Sequence, residues 1–291
     1  MENITEDNFD PTLPDEPKSK HGDIYQLGRH RLMCGDSTSI DDVEALSCGN
    51  AIDLVVTDPP YNMGYEGAGN TRDRKNKRIL NDKMPEEDFR HFLRSVYCNY
   101  FSCMADGASI YVFYKELGTG VFITAMNESG LTYKQELIWV KNQIVLGGSK
   151  YQSMYEPFLM GCKGKISIWN GKRKQRSVIE SIDLMDEKTL RTTIREILDG
   201  ETTDVIRENK NLINDLHPTM KPIRLLARLI FNSSNPGQNV MDLFGGSGST
   251  LIAAEQTGRN AYIMELDPKY VDVIIDRWEQ FTGKKAVLVN G

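Results

Sequence analysis

Short apolar runs alternate along the chain with longer stretches in which apolar residues recur every three or four positions. A short apolar run between turn residues predicts a buried strand, whereas the helical spacing predicts an amphipathic helix. The stretch 86–105, for example, places Phe89, Phe92, Val96 and Tyr100 on one helical face. Alternation of this kind predicts an α/β fold with a doubly wound, mostly parallel sheet covered on both faces.

The predicted strands cover 31–34, 52–57, 108–114, 137–140, 157–160, 240–244, 261–264 and 286–289. The predicted helices cover 86–105, 121–128, 222–231, 250–256 and 268–281, the last capped by Asp267. Residues 163–216 interrupt the alternation with basic and then mixed helical sequence, which indicates an inserted variable region. Residues 1–21 combine three prolines with many acids and predict a disordered acidic tail. The folded domain is therefore expected over 22–291.

Composition is that of an ordinary globular protein, with 40% hydrophobic and 26% charged residues. No apolar run approaches the roughly 18 residues that span a bilayer, and the acidic start is unlike a signal peptide. The five cysteines are scattered without a CxxC pair, which predicts reduced thiols in a cytoplasmic protein and no metal site.

The net charge of −6 conceals two basic runs, RDRKNKR at 72–78 and KGKISIWNGKRKQR at 163–176. Either run alone is adequately explained as a solvated face. Two such runs in an acidic protein predict that they flank a polyanion. The candidate contacts are Arg72, Arg74, Lys75, Lys77, Arg78, Lys172, Arg173, Lys174 and Arg176.

A glycine turn, Gly245-Gly246-Ser247-Gly248, follows the predicted strand 240–244 and precedes a helix. Without Cβ atoms, such a turn lets a ligand approach the backbone closely. The next strand ends at Glu265, and an acid there suits the two hydroxyls of a ribose. The spacing differs from GxGxxG and fits a nucleoside without a pyrophosphate better than NAD. A tight strand–helix turn that binds no ligand would have the same sequence features.

Two further segments are stiffened by proline. The strand 52–57 runs directly into Asp58-Pro59-Pro60-Tyr61, where two prolines prevent both more strand and an immediate helix. The loop His217-Pro218-Thr219-Met220-Lys221-Pro222 precedes a predicted helix. The lysine of this loop and the amides at the start of the helix suit an anion, such as a carboxylate.

Together, DPPY at 58–61, FGGSG at 244–248 and HPTMKP at 217–222 resemble the motifs of the S-adenosylmethionine-dependent DNA amino-methyltransferases. That family modifies adenine N6 or cytosine N4. The order, with DPPY first and the cofactor turn last, resembles its permuted β group. The resemblance covers roughly 22–286 and implies a Rossmann-like methyltransferase fold, S-adenosyl-L-methionine as cofactor and double-stranded DNA as substrate.

The resemblance also implies roles for individual residues. Asp58 and the carbonyl of Pro59 would accept the two N–H groups of the target amine, Pro60 would stiffen the loop, and Tyr61 would stack on a flipped base. Glu265 would bind the ribose, and 163–216 would recognise the target sequence. The implied cofactor residues are Asp36, His217, Thr219, Lys221, Asp242, Phe244, Gly246, Ser247, Gly248 and Glu265.

Aspartate as the first residue of DPPY favours adenine N6 within this family, although cytosine N4 stays open. Methylation at cytosine C5 is disfavoured because it needs a nucleophilic cysteine, normally after proline, and no Pro-Cys pair occurs. A non-catalytic nucleotide-binding module and an NAD-dependent dehydrogenase represent two different functional classes that stay open as well. The resemblance is also compatible with a homodimer and a companion restriction endonuclease, and it leaves the target sequence open.

The second basic run provides a test of DNA binding. Replacing Lys172, Arg173, Lys174 and Arg176 with alanine should lower DNA affinity and flatten its salt dependence, because fewer counterions are released on binding. Cofactor affinity should persist. A slope of log affinity against log salt equal to that of the wild type would make the run a solvated face only.

Overall fold

The computed structural model describes residues 4–64, 80–145, 150, 153–171, 173, 175–180, 190–191 and 220–290. Within these described ranges, ten strands form one sheet: β1 Ile24–Leu27, β2 His30–Cys34, β3 Ile52–Thr57, β4 Met104–Phe113, β5 Thr132–Val145, β6 Ser153–Cys162, β7 Val178–Ile179, β8 Asn239–Asp242, β9 Asn260–Glu265 and β10 Val287–Asn290. The helices that cover the sheet are α1 Ile40–Ser47, α2 Glu86–Cys103, α3 Thr119–Glu128, α4 Ile223–Ser233, α5 Ser249–Thr257 and α6 Pro268–Thr282.

The sheet order is β10-β1-β2-β9-β8-β3-β4-β6-β5-β7. Its centre, from β2 to β4 in that order, is parallel throughout. Antiparallel pairs extend it on both sides, through β1 and β10 at one edge and β6 and β5 at the other. This architecture confirms the predicted doubly wound α/β fold with a mostly parallel sheet.

Strands β3 and β8 are neighbours at the middle of the sheet, and the chain leaves them in opposite directions. From β3 it passes through α2 to β4, whereas from β8 it passes through α5 to β9. Such a reversal opens a crevice at the carboxyl ends of the two strands, where open α/β sheets bind their ligands. Asp58 follows β3 and Phe244 closely follows β8, so the fold brings DPPY and the glycine turn to the same crevice.

Two apolar layers sandwich the sheet. Alternate residues of β3 divide between them, since Leu54 and Val56 pack into the layer built on α4, α5 and α6, and Val55 into the layer built on α1, α2 and α3. Each fully buried aliphatic side chain of this kind contributes about 1.5–3 kcal/mol relative to exposure. Among the described residues, none of the helices has the length and apolar character that a membrane span requires.

Local signals identified most elements but left three out. The strand predicted at 52–57 has the observed ends, and Asp267 caps α6 as predicted, accepting from Lys269 N at 2.9 Å. The short elements β1, β7 and α1 were not predicted, because each is too short or has too few apolar residues for a clear period. Helix α1 nevertheless carried a cap signal, since Ser39 accepts from Asp42 N.

The expectation of a disordered tail over 1–21 is wrong for the described part of that segment. Ile4 is buried in the core, and the Glu6 carboxylate accepts from the amides of Ile223 and Arg224, both at 2.9 Å. Further along, Ser19 donates to Asp272 at 2.6 Å. Acid-rich composition failed as a guide because these side chains have specific partners on the folded domain.

Asp7 forms an ion pair with a buried arginine. Its two oxygens each lie 2.8 Å from the guanidinium of Arg277, whose side chain is 1% exposed. The same guanidinium donates to the carbonyl of Ser247 at 2.9 Å. The N-terminal segment is thus connected to the glycine turn through one buried arginine.

Replacing Asp7 with alanine should lower the free energy of unfolding by about 1–3 kcal/mol, because Arg277 loses its carboxylate partner while it stays buried. The measurement is urea unfolding followed by circular dichroism. Asp10→Ala serves as the matched control, since Asp10 is exposed in the same segment. Equal stabilities of the two variants would contradict a structural role for this pair.

Candidate active site

A buried aspartate joins the two strands of the central crevice. Asp242, the last residue of β8, accepts from the hydroxyl of Thr57 at 2.9 Å and from the hydroxyl of Thr250 at 2.7 Å. It also accepts from the amide of Phe244 at 3.1 Å. Burial raises the pKa of Asp242 to about 7. Its oxygens are directed at protein donors, so Asp242 shapes the glycine turn instead of presenting a free carboxylate to a cofactor.

Tyr100 ties helix α2 to the same junction. Its hydroxyl donates to Thr57 at 2.8 Å and accepts from the amide of Leu243 at 2.9 Å, and the side chain is fully buried. The sequence pattern predicts Tyr100 on the apolar face of a helix, and its hydroxyl gives no separate signal there. The bond fixes the end of β3, immediately before Asp58, relative to the start of the glycine turn.

The three glycines of the turn have different uses. A Cβ on Gly245 would lie 2.6 Å from Ile263 and 2.8 Å from Ile274, so this position permits close packing of the turn on β9 and α6. Gly246 has φ +51°, and a Cβ there would meet nothing within 4 Å. The backbone at Gly246 is therefore open to the close approach of a ligand. Gly248 has φ +86° and is the N-cap of α5.

Glu265 lies directly against this turn. Its carboxylate accepts from the amide of Gly246 at 2.8 Å and from the amide of Asp267 at 3.0 Å. Burial raises its pKa to about 7. The position is the one expected for a ribose-binding acid, at the end of the strand that follows the glycine turn.

The remaining described cofactor candidates surround the same turn. Asp36 follows β2, which pairs with β9 so that Cys34 lies beside Glu265. Asp36 Oδ1 accepts hydrogen bonds from the amide and the hydroxyl of Thr38, both at 2.8 Å. The ring of Phe244 meets the edge of Phe92, with centroids 6.0 Å apart. The fold thus gathers these residues at neighbouring strand ends.

The DPPY loop is clamped by a second segment of chain as well as by its prolines. The amides of Tyr61 and Met63 donate to Asp82 Oδ1 at 3.0 and 3.2 Å. Asn62, with φ +59°, exchanges hydrogen bonds of 2.9 and 2.7 Å with the backbone of Met84. Both prolines of DPPY are buried. These contacts fix the loop that carries Asp58 on the crevice.

Behind Asp58 lies a cluster of charged side chains. The ammonium of Lys221 is 2.5 Å from Asp58 Oδ2 and 2.8 Å from Glu156 Oε1. The Tyr61 hydroxyl donates to Asp58 Oδ1 and lies 3.0 Å from Glu156 Oε1. The ammonium of Lys141 is 2.6 Å from the other oxygen of Glu156. Two carboxylates and two ammonium groups make this cluster electrically neutral.

Burial and pairing act in opposite directions on these groups. Burial raises the pKa of Asp58, and the charge of Lys221 offsets part of that rise. Burial also opposes ionisation of Glu156, but Lys221 and Lys141 outweigh it and lower the pKa of Glu156 to about 2. Lys221 is buried too, yet Asp58 and Glu156 raise its pKa and keep it charged. Lys221 therefore remains cationic near neutral pH.

The expectation that Lys221 and the start of the next helix meet a cofactor carboxylate is not supported by these contacts. Lys221 is committed to two protein carboxylates, and the amides of Ile223 and Arg224 are capped by Glu6. The side chain of Lys221 is long enough to reach Asp58 at the end of β3. The sequence alone does not show in which direction that side chain extends. Glu156 was missed entirely, although a single acid within an apolar strand is an unusual buried residue.

Part of the predicted site lies outside the described residues, namely Arg72, Arg74, Lys75, Lys77, Arg78, Lys172, Lys174, His217 and Thr219. Of the second basic run, Arg173 and Arg176 are described and exposed. Within the described ranges, no group of His, Cys, Asp and Glu side chains has an arrangement that could hold a metal ion.

The chain is similar to known DNA methylases. A family model described as DNA methylase matches residues 52–276. The chain is 29% identical over 236 residues to the DNA adenine methyltransferase YhdJ of Escherichia coli strain K12, covering 78% of this chain and 76% of that protein. It is 27% identical over 262 residues to the type II methyltransferase M.HpaI of Haemophilus parainfluenzae, covering 88% and 77%.

Solved structures share the fold. M1.HpyAVI in complex with SAM superposes with a TM-score of 0.56 at 18% identity, covering 84% of this chain and 97% of that one. The cytosine-N4-specific PvuII DNA methyltransferase gives 0.61 at 16% identity, covering 94% of both chains. Since the family model spans most of the sequence and includes both strands of the crevice, the chain belongs to the DNA methylase family that acts on adenine N6 or cytosine N4.

Proposed function

We propose that the protein transfers a methyl group from S-adenosyl-L-methionine to the exocyclic N6 of adenine in double-stranded DNA. The observation that carries this proposal is the position of Asp58, which follows β3 beside the glycine turn that follows β8. An acceptor for an amine and a turn suited to a nucleoside cofactor then share one crevice. The adenine specificity named for the relative YhdJ supports the choice of base.

The chemistry explains why a stiff loop is useful. The lone pair of the adenine amine is delocalised into the ring, so the amine is a poor nucleophile. Asp58 accepts one N–H and the carbonyl of Pro59 the other, which turns the nitrogen toward tetrahedral geometry and aims its lone pair at the sulfonium methyl. The N–C bond would form as the C–S bond of the cofactor breaks, S-adenosylhomocysteine would leave, and the proton lost by the amine would pass to solvent. The ring of Tyr61 stacks on the flipped base.

The cofactor is assigned to the opposite side of the crevice. Glu265 accepts the ribose hydroxyls, Asp36 lies toward the adenine of the cofactor, and the methionine moiety lies along the turn from Phe244 to Gly248. The open backbone at Gly246 supports this placement. Lys221 and the first amides of α4 already have protein partners, so the turn is left to bind the methionine end.

Cytosine N4 is the second candidate substrate. Its amine has the same two N–H groups and would use the same acceptors, and the fold is shared with a cytosine-N4 enzyme. The discriminating experiment incubates DNA with methyl-labelled cofactor, digests it to nucleosides and identifies the product by mass spectrometry. N6-methyldeoxyadenosine is expected, whereas N4-methyldeoxycytidine would transfer the assignment to cytosine. Long-read sequencing of the same DNA would identify the target sequence.

The macromolecular partners follow from the same activity. The basic runs at 72–78 and 163–176 supply the DNA-binding surface. The relative M.HpaI is a type II methyltransferase, so a companion restriction endonuclease is proposed for this chain. A homodimer is proposed as its assembly, which sedimentation of the purified protein would test.

Asp58→Ala should lower the rate of methyl transfer by on the order of a hundredfold or more, because a preorganised acceptor is lost from the reacting amine. Affinity for cofactor and DNA should change little. The measurement is single-turnover transfer of a labelled methyl group. Asp106→Ala is the control, since that side chain is 97% exposed. A near-normal rate in Asp58→Ala would leave DPPY as a structural turn.

Cofactor affinity should rise between pH 6 and pH 8, because Glu265 has a pKa of about 7 before the cofactor binds and only its ionised form accepts from both ribose hydroxyls. The Glu265→Gln variant should bind about 1–3 kcal/mol more weakly at pH 8 and show a flatter pH dependence. Calorimetric titration at three pH values measures both. The assignment fails if the variant retains the wild-type pH dependence, since other groups would then cause it.

A further inference from the structure

Glu156 occupies a central place in the charged cluster, yet the proposed methyl transfer gives it no role. It lies on β6 with its side chain 9% exposed, and it touches three other members of the cluster. Its Oε1 faces the Lys221 ammonium and the Tyr61 hydroxyl, and its Oε2 faces the Lys141 ammonium. A buried carboxylate with this many partners is costly to place without a use.

The two protein donors on Asp58 create a conflict with its proposed task. Tyr61 donates to Oδ1 and Lys221 to Oδ2. A target amine needs a lone pair of Asp58 turned toward the crevice, and an ammonium is a stronger competitor for that carboxylate than a neutral amine. Lys221 cannot simply leave, because its side chain is 8% exposed and an unpaired buried charge is unfavourable by several kcal/mol.

Glu156 resolves this conflict because it faces the same two donors. Its Oε1 is 2.8 Å from the Lys221 ammonium and 3.0 Å from the Tyr61 hydroxyl, so both donors have a second acceptor in reach. Lys141 holds Glu156 from the far side, away from Asp58, at 2.6 Å. Lys221 and Tyr61 can therefore relax their bonds to Asp58 and remain paired.

We propose that Glu156 is a positioning residue for methyl transfer, which takes over the hydrogen bonds of Lys221 and Tyr61 when Asp58 engages the target amine. The inference rests on the proposed function, and it applies to an adenine or a cytosine amine alike. Glu156 touches neither substrate nor cofactor in this role. It acts by keeping Asp58 available.

The charges around Asp58 give the proposal a distinctive pH signature. Among the described residues, the titratable groups facing Asp58 are Lys221, Tyr61 and Glu156, and the charge of Asp58 also reaches Asp242, whose pKa is raised by burial and further by this charge. Loss of the Glu156 charge leaves Lys221 to Asp58 alone, which lowers the pKa of Asp58 and strengthens that ion pair. Because transfer needs ionised Asp58, the acid limb of the rate profile moves to lower pH. The plateau rate falls, because the target amine now competes for Asp58 with a Lys221 ammonium that binds Asp58 more strongly.

The test compares Glu156→Gln, Glu156→Asp and the wild type in single-turnover methyl transfer from pH 5 to pH 9, at saturating DNA and cofactor. The Gln variant should lose on the order of tenfold or more in plateau rate, with its acid limb at lower pH and cofactor affinity within about twofold of the wild type. The Asp variant retains the charge and should keep the acid limb in place. Glu128→Gln is the control, since Glu128 pairs with Arg90 on the outer helices.

Two results would overturn the proposal. One is a Gln variant with the wild-type plateau rate and acid limb. The other is a loss of rate in both variants that is proportional to the drop in their unfolding temperatures, with the acid limb of the pH–rate profile unchanged. A residue with a purely structural role would give that result. If the proposed function itself is wrong, the wild-type enzyme will methylate no exocyclic amine, and this result is distinct from both of the others.

Discussion

The hydrogen bond between Thr57 and Asp242 is the contact on which the rest of the site depends. It joins the last residues of two neighbouring parallel strands, and it is buried with Tyr100 and Thr250 as further partners. Asp58 is the residue after Thr57, and the glycine turn follows shortly after Asp242. The DPPY loop and the glycine turn, which are far apart in sequence, are thus held together by a few buried polar atoms.

Buried charge is the second constraint, and it links stability to chemistry. Lys221 remains cationic inside the protein because Asp58 and Glu156 surround it. In the proposed mechanism, the same pairing ties up the carboxylate that the target amine would use. A site that both satisfies its buried ions and releases Asp58 would then require a second acceptor, and Glu156 on β6 lies within reach of both donors.

The N-terminal segment supports both sides of the crevice from outside the sheet. Glu6 caps the helix that begins just after Lys221, and Asp7 holds the arginine that contacts the glycine turn at Ser247. Glu6 and Asp7 act as a cap and an ion-pair partner instead of solvated charges. Composition alone cannot distinguish the two, because the partners lie more than 200 residues away.

By itself the sequence determined what depends on neighbouring residues: the strand before Asp58, the glycine turn, the cap at Asp267 and the motifs that identify the family. Periodicity, proline and glycine act locally, so these features are visible in the chain. Only the tertiary structure decided the partners of Lys221, which lies 163 residues from Asp58, and the involvement of Glu156. Ion pairs depend on which strands become neighbours in the sheet, and no local pattern encodes that order.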